Sequence, residues 1–201
     1  MSSTNRGYER HKTDYYVTPL SPIKDFLSEF LLDCEDEEIE GWYSISQRPD
    51  RLLWLDPCAG GDTSHPMSYP TVLEDTFGVT PETIDIRPDS LAETKADYLT
   101  TKLKYKPNII ITNPPFYLAK EIIIKALEDV AENGFVIMLL RLNFFGSKER
   151  KKFFEKYMPI RAYVHSRRFS FTDGKKTDSI EYMHAVWQKG NYPEYTKIKI
   201  I

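Results

Sequence analysis

Two cysteines in 201 residues, Cys34 and Cys58, are too few for a disulfide scaffold, and neither has His or Cys neighbours at metal-ligand spacing. No zinc or other metal site is therefore expected. Long apolar runs are missing too: nothing approaches the roughly 18 to 20 residues of a membrane span, and Met1 to Asp14 is polar and charged. There are no internal repeats and no low-complexity tracts. These absences point to a soluble protein of the cell interior. The expected organisation is a flexible tail over 1–14 and one domain over 15–201. A chain of this length buries about 70% of its unfolded surface. Its 13 Tyr, 11 Phe and 3 Trp supply a core and leave rings for stacking on flat ligands.

A formal net charge of -3 argues weakly against a polyanionic partner, but the total hides an asymmetry. Arg141 to Lys189 carries 12 Lys/Arg against 5 Asp/Glu, whereas Met1 to Leu140 carries 13 against 24. The last third is thus locally basic. That suits phosphate neutralisation, although a solvated charged surface has the same composition.

Helical spacing of Ile23, Phe26, Leu27, Phe30 and Leu31 after Ser21-Pro22 predicts an amphipathic helix, ended by the acidic run Cys34 to Glu40. From Leu52 the pattern changes to short apolar runs between turn residues, as in buried parallel strands. Leu52 to Leu55, Thr83 to Ile86, Ile109 to Thr112 and Phe135 to Leu140 are the clearest, with a helix over Leu118 to Glu132. Arg161 to Val164 and Glu181 to Trp187 form a later, hairpin-like pair with Asp173-Gly174 between them. Strands alternating with helices give a doubly wound α/β sheet.

Three stretches at predicted strand ends carry chemistry. Leu53 to Asp62 runs from a strand through Asp56-Pro57-Cys58-Ala59 into Gly60-Gly61, which allows close backbone approach to a ligand at the sheet's carboxyl edge. It is neither GxGxxG nor GxxxxGK[ST], and a Gly-Gly turn is also a common structural device. Asp85, in Thr83 to Arg87, can accept two hydrogen bonds from a ribose diol, or it can be a cap or surface acid. Asp97, with Tyr98 and Leu99, can bind an amino group and clamp a ring. The most specific stretch is Asn113-Pro114-Pro115-Phe116. Two prolines remove two N–H donors, so carbonyls there can face a ligand. The Asn113 oxygen and the Pro114 carbonyl suit an NH2 group, and Phe116 offers a face to a planar base.

Asn113 to Phe116 resembles the [N/D/S]PP[Y/F] motif of class I S-adenosylmethionine-dependent amino-methyltransferases, and Asp56 to Gly61 resembles their cofactor loop. Tyr15 to Pro19 is similar to the segment preceding that loop in adenine DNA methyltransferases. The resemblance spans Tyr15 to Gln188. It implies a Rossmann-like, mostly parallel, seven-stranded sheet with a late antiparallel strand, and S-adenosylmethionine as cofactor. Tyr16 and Thr18 would help hold the methionine moiety, lined by Asp56, Ala59 and Gly60; Asp85 would bind the ribose hydroxyls and Asp97 the adenine amino group, with Pro57, Ile86 and Tyr98 also among the cofactor-binding residues. Asn113, Pro114, Pro115 and Phe116 would be catalytic. The loop departs from the Gly-x-Gly spacing of many relatives, which leaves open which glycine approaches closest. Cofactor motifs preceding the catalytic one, with no room for an insert between Tyr98 and Asn113, resemble the gamma arrangement. There a recognition domain would follow, yet the sequence stops at Ile201. The expectation is a small enzyme of phage or mobile-element type, or a subunit with a recognition partner.

The implied reaction is methylation of adenine N6 in nucleic acid, DNA first. Alternatives are RNA adenine, a protein glutamine amide, or a catalytically silent nucleic-acid-binding subunit. Basic and aromatic residues interleave downstream at Arg141 to Lys152 and at Ser166 to Phe171. Lys148, Arg167, Arg168, Phe169 and Phe171 are accordingly expected to touch substrate, although core Phe with solvated cations would read alike. His165 and His184 show no partner pattern and are expected to be structural.

Overall fold

Alternation within the apolar runs sends successive side chains to opposite faces of one sheet, and both faces are covered by helices. The computed structural model describes residues 16–36, 42–171 and 179–201; the tail, Tyr15 and Asp173-Gly174 lie outside them. Strands are β1 (Trp54–Asp56), β2 (Glu82–Asp85), β3 (Thr94–Lys95), β4 (Ile109–Thr112), β5 (Phe135–Arg141), β6 (Arg161–Val164), β7 (Tyr182–Gln188) and β8 (Lys197–Ile200). Helices are α1 (Leu20–Asp36), α2 (Trp42–Gln47), α3 (Ser68–Phe77), α4 (Ala119–Asp129) and α5 (Lys151–Lys156). The sheet order is β3-β2-β1-β4-β5-β7-β6-β8, parallel except at the two sides of β7.

Ile109, Ile111, Phe135, Ile137 and Leu139 pack with α1 and α3, whereas Ile110, Val136, Met138 and Leu140 pack with α4 and α5. Six consecutive residues of β5 are at most 2% exposed. At about 1.5–3 kcal/mol for each large apolar side chain, this strand anchors the domain. The α4 crossover carries Ile122, Ile123, Ala126 and Leu127 on its buried stripe, as its spacing predicts.

The expected seven strands are eight. The eighth, β8, lies at the sheet's edge beside β6. Its Lys-Ile-Lys-Ile alternation is a half-exposed strand signal, which a search for continuous apolar runs passes over. Lys199 reaches Asp33 (2.9 Å) and Glu29 (2.8 Å) on α1, while Ile198 and Ile200 face outward. Among the described residues no helix is long and apolar enough to cross a membrane, and no cluster of three or more His, Cys, Asp or Glu could hold a metal.

Candidate active site

β1, β2 and β4 all end at one edge of the sheet, and the segments that follow them wall a single cleft. Asp56 closes β1 but is 1% exposed and sits behind that wall. The expectation that it lines a ligand is corrected: its carboxylate accepts the Thr112 hydroxyl (2.6 Å) and the Cys58 N–H (3.1 Å), tying β1 to β4. Burial pushes its carboxyl up to about 7, against the lowering effect of those two hydrogen bonds. The unfolded group ionises near 3.8, so its contribution to stability declines as pH rises from there through about 7. The full cost, on the order of 4 kcal/mol, applies above that window. Asp56→Asn keeps an acceptor without the charge. Thermal melts should show a midpoint raised by about 10 °C at about pH 8 and nearly unchanged at about pH 4; a pH-independent effect would contradict this role.

Past Pro57, the chain turns through Gly60 (φ 66°) and Gly61 (φ 72°). Both adjacent glycines adopt the left-handed conformation, and a Cβ on Gly61 would stand 2.7 Å from Met67 Cγ. The two adjacent glycines thus make one tight turn at the cleft wall. Ala59 N–H donates to the Ile84 carbonyl (3.0 Å), and Gly60 N–H donates to Asp85 Oδ2 (2.8 Å). The other Asp85 oxygen accepts the Arg87 N–H (2.8 Å), and Arg87 Nη2 donates to the Gly61 carbonyl (2.7 Å). Asp85 does line the cleft, as expected, but it also fastens the glycine loop. Arg87, 6% exposed and also in the wall, was missed, since a lone Arg after a strand carries no signal. Farther along are exposed Ile86, then Asp97 and buried Tyr98; the Asp97 carboxylate accepts the Leu99 N–H (2.9 Å).

At the end of β4, Asn113 to Phe116 face the same cleft, opposite the glycine loop. Asn113 Nδ2 donates to Thr18 Oγ1 (2.9 Å), which fixes the amide plane and turns Oδ1 away from Thr18. Asn113 Oδ1 is buried and has no hydrogen-bond partner. The carbonyls of the corner are not both free, because Pro115 accepts the Leu118 N–H (2.9 Å) at the start of α4. Among the described residues no backbone N–H bonds the Pro114 carbonyl. The corner therefore offers two neutral oxygen acceptors, and an orphaned acceptor costs about 1–3 kcal/mol unless something fills it.

Around this corner the rings are tightly grouped. Phe116 lies 5.8 Å from Tyr182, and Phe171 contacts both Tyr182 (4.9 Å) and Tyr16 (6.3 Å). Phe169 is 2% exposed and stacks on Tyr182 at 5.1 Å, so its expected substrate contact is corrected to a backing ring in the core. Arg167 and Arg168 line a second, neighbouring cavity with Pro19 and Ser166, and Arg168 pairs with Glu181 (3.6 Å). Lys148 is exposed on the turn Lys148–Arg150 and lines neither cavity.

The two histidines do have partners. Tyr69 in the cleft wall contacts His184 Nε2 (2.9 Å), and His184 Nδ1 contacts His165 Nε2 (2.8 Å). Burial holds both rings neutral, pushing His165 down to about 4 and His184 well below its ordinary value. The stability this pair contributes is present above 6.5 and is lost as pH falls toward about 4.

No protein-family model matches the sequence, and no curated protein matches it as a relative. Solved structures do resemble the fold. A candidate class I S-adenosylmethionine-dependent methyltransferase from Listeria monocytogenes aligns over 92% of this chain at 13% identity, with a TM-score of 0.62; the chain spans 65% of that protein's length. A candidate RNA methyltransferase from Pyrococcus horikoshii aligns at 17% identity over 93% of this chain and 94% of its own, TM-score 0.53. The M protein of the type I restriction enzyme EcoKI aligns at 13% identity over 75% of this chain and 44% of its own, TM-score 0.50. At such identities the likeness is one of architecture: the chain has the α/β, Rossmann-like fold of class I methyltransferases.

Proposed function

We propose that the chain transfers a methyl group from S-adenosylmethionine to the exocyclic N6 amine of adenine in nucleic acid, with DNA as the first-choice polymer. The observation that carries this reading is the buried, unpartnered Asn113 Oδ1 beside the unengaged Pro114 carbonyl in the cleft. Bound S-adenosylmethionine would supply an electrophilic methyl group on a positively charged sulfur. Tyr16, Thr18, Pro57, Ala59 and Gly60 are the wall residues suited to its methionine end. Asp85 and Ile86 would take the ribose side, and Asp97 and Tyr98 the adenine. Asp85 keeps lone pairs for this, because a carboxylate has about four acceptor sites.

The adenine amine is a weak nucleophile, since its lone pair is shared with the ring. Accepting both of its N–H groups at Asn113 Oδ1 and the Pro114 carbonyl favours a pyramidal nitrogen with that lone pair released toward the methyl. Acceptors fixed in advance in a water-poor site are more effective than water. Orientation adds to this. The proton can depart once the nitrogen has become cationic, so a strong base at the corner is not required. Extruding the base from a duplex costs a few kcal/mol, and stacking on Phe116 offsets roughly 1–3 kcal/mol. The basic stretch after β5 favours a polyanionic substrate over a protein amide.

The test is incubation of the full chain with radiolabelled S-adenosylmethionine and a panel of DNA, RNA and protein. Label is expected in nucleic acid, DNA above RNA. Label confined to protein, or none on any polymer, would refute the proposal.

A further inference from the structure

Arg141, the last residue of β5, stands at the edge where β4 delivers Asn113 to Phe116. Its guanidinium carbon lies 4.6 Å from the centroid of the Phe116 ring. Phe116 lines the cleft and Arg141 does not, so the guanidinium meets the ring from outside the cleft lining. Arg141 Nε is buried with no hydrogen-bond partner, and no described acid forms an ion pair with it. Two neighbouring arginines are engaged: Arg150 donates to the Phe144 carbonyl (3.1 Å), and Arg168 faces Glu181. A half-buried guanidinium with no acid paired to it, beside a functional ring, keeps its charge for an acceptor arriving from outside. From Arg141 the chain runs through the turn Leu142–Gly146 to exposed Lys148, Lys151 and Lys152, so positive charge continues away from the corner.

We propose that Arg141 anchors a backbone phosphate of a polynucleotide next to the nucleotide that enters the Asn113 corner, while its guanidinium braces Phe116 as the stacking platform. The inference rests on the methyltransferase reading for the identity of the corner, and it commits the substrate to a phosphodiester polymer. An Arg suits both tasks because its planar guanidinium can stack on the ring while carrying the charge, whereas a Lys supplies only the charge.

The test is fluorescence anisotropy of a labelled, mixed-sequence single-stranded oligonucleotide titrated with the full chain across a salt series. Arg141→Gln should weaken binding about tenfold at low salt and flatten the slope of log affinity against log salt by about 0.7, the signature of one lost phosphate contact. Arg141→Lys should keep the wild-type slope, since it retains the charge. An unchanged slope in Arg141→Gln, or an equal loss in Arg141→Lys, would overturn the proposal. Absence of oligonucleotide binding by the wild-type chain would overturn it too. Calorimetric titration with S-adenosylmethionine decides the methyltransferase reading separately.

Discussion

Asn113→Ala is expected to slow methyl transfer on the order of 10²–10³-fold, the cost of removing one preorganised polar group aimed at a transition state. Cofactor affinity should change less than about twofold, because Asn113 touches the cofactor side only through Thr18. The substitution deletes the orphaned oxygen and also the Nδ2 donor that Thr18 Oγ1 accepts. Two companions separate these losses. Asn113→Asp keeps the acceptor, with the Thr18 hydroxyl able to donate in return, and should retain part of the activity. Thr18→Val keeps Asn113 but frees its amide plane and also removes a hydroxyl from the cofactor wall, so kcat and cofactor affinity should both fall. Single-turnover rates measured beside calorimetric affinities check all three. Full activity in Asn113→Ala would exclude the corner from the chemistry.

Asp85→Ala should weaken S-adenosylmethionine binding by at least about tenfold and also destabilise the fold. The carboxylate receives the Gly60 and Arg87 N–H groups and faces the buried Arg87 guanidinium at 3.5 Å. Removing one partner of a buried ion pair costs about 3–5 kcal/mol, or about 10 °C in melting midpoint for a chain of this size. The glycine turn would lose its side-chain anchor to β2, leaving the Ala59 N–H to Ile84 carbonyl bond, together with any contact to a ribose. Asp85→Asn divides the two effects: its single oxygen can hold only part of the network. Its midpoint should fall less than that of the Ala variant, while its affinity for the cofactor still drops. Calorimetry at a temperature below both midpoints makes the comparison. An Asp85→Ala variant with wild-type affinity would remove Asp85 from the ligand-binding set.

Much of this arrangement was legible in the sequence because it lies in local patterns. β4 and β6 have the bounds their apolar runs predict, and the stripe of α4 follows helical spacing. Asn113 to Phe116, Asp85 and Asp97 reach the same cleft because parallel strands deliver their carboxyl ends to one edge. What escaped notice depends on long-range partners. Asp56 reads as a wall residue until Thr112, 56 positions away, is seen to claim its carboxylate. Phe169 reads as a base-stacking ring until Tyr182 is found parallel to it. His165 and His184 lack any pattern in sequence because their link crosses from the end of β6 to β7. The short β3, α5 and the half-exposed β8 carry too few apolar residues for periodicity to register.

The most direct measurement is identification of the methylated nucleoside after reaction with S-adenosylmethionine carrying a deuterated methyl group, by digestion and mass spectrometry. Two oxygen acceptors suit a group that brings two N–H bonds, so the label should appear on an exocyclic amine, and the proposed adenine substrate puts it on N6 and not on N4 of cytosine or N2 of guanine. Label on a ring nitrogen or a carbon, which have no such pair of hydrogens to offer, would contradict the account at its centre.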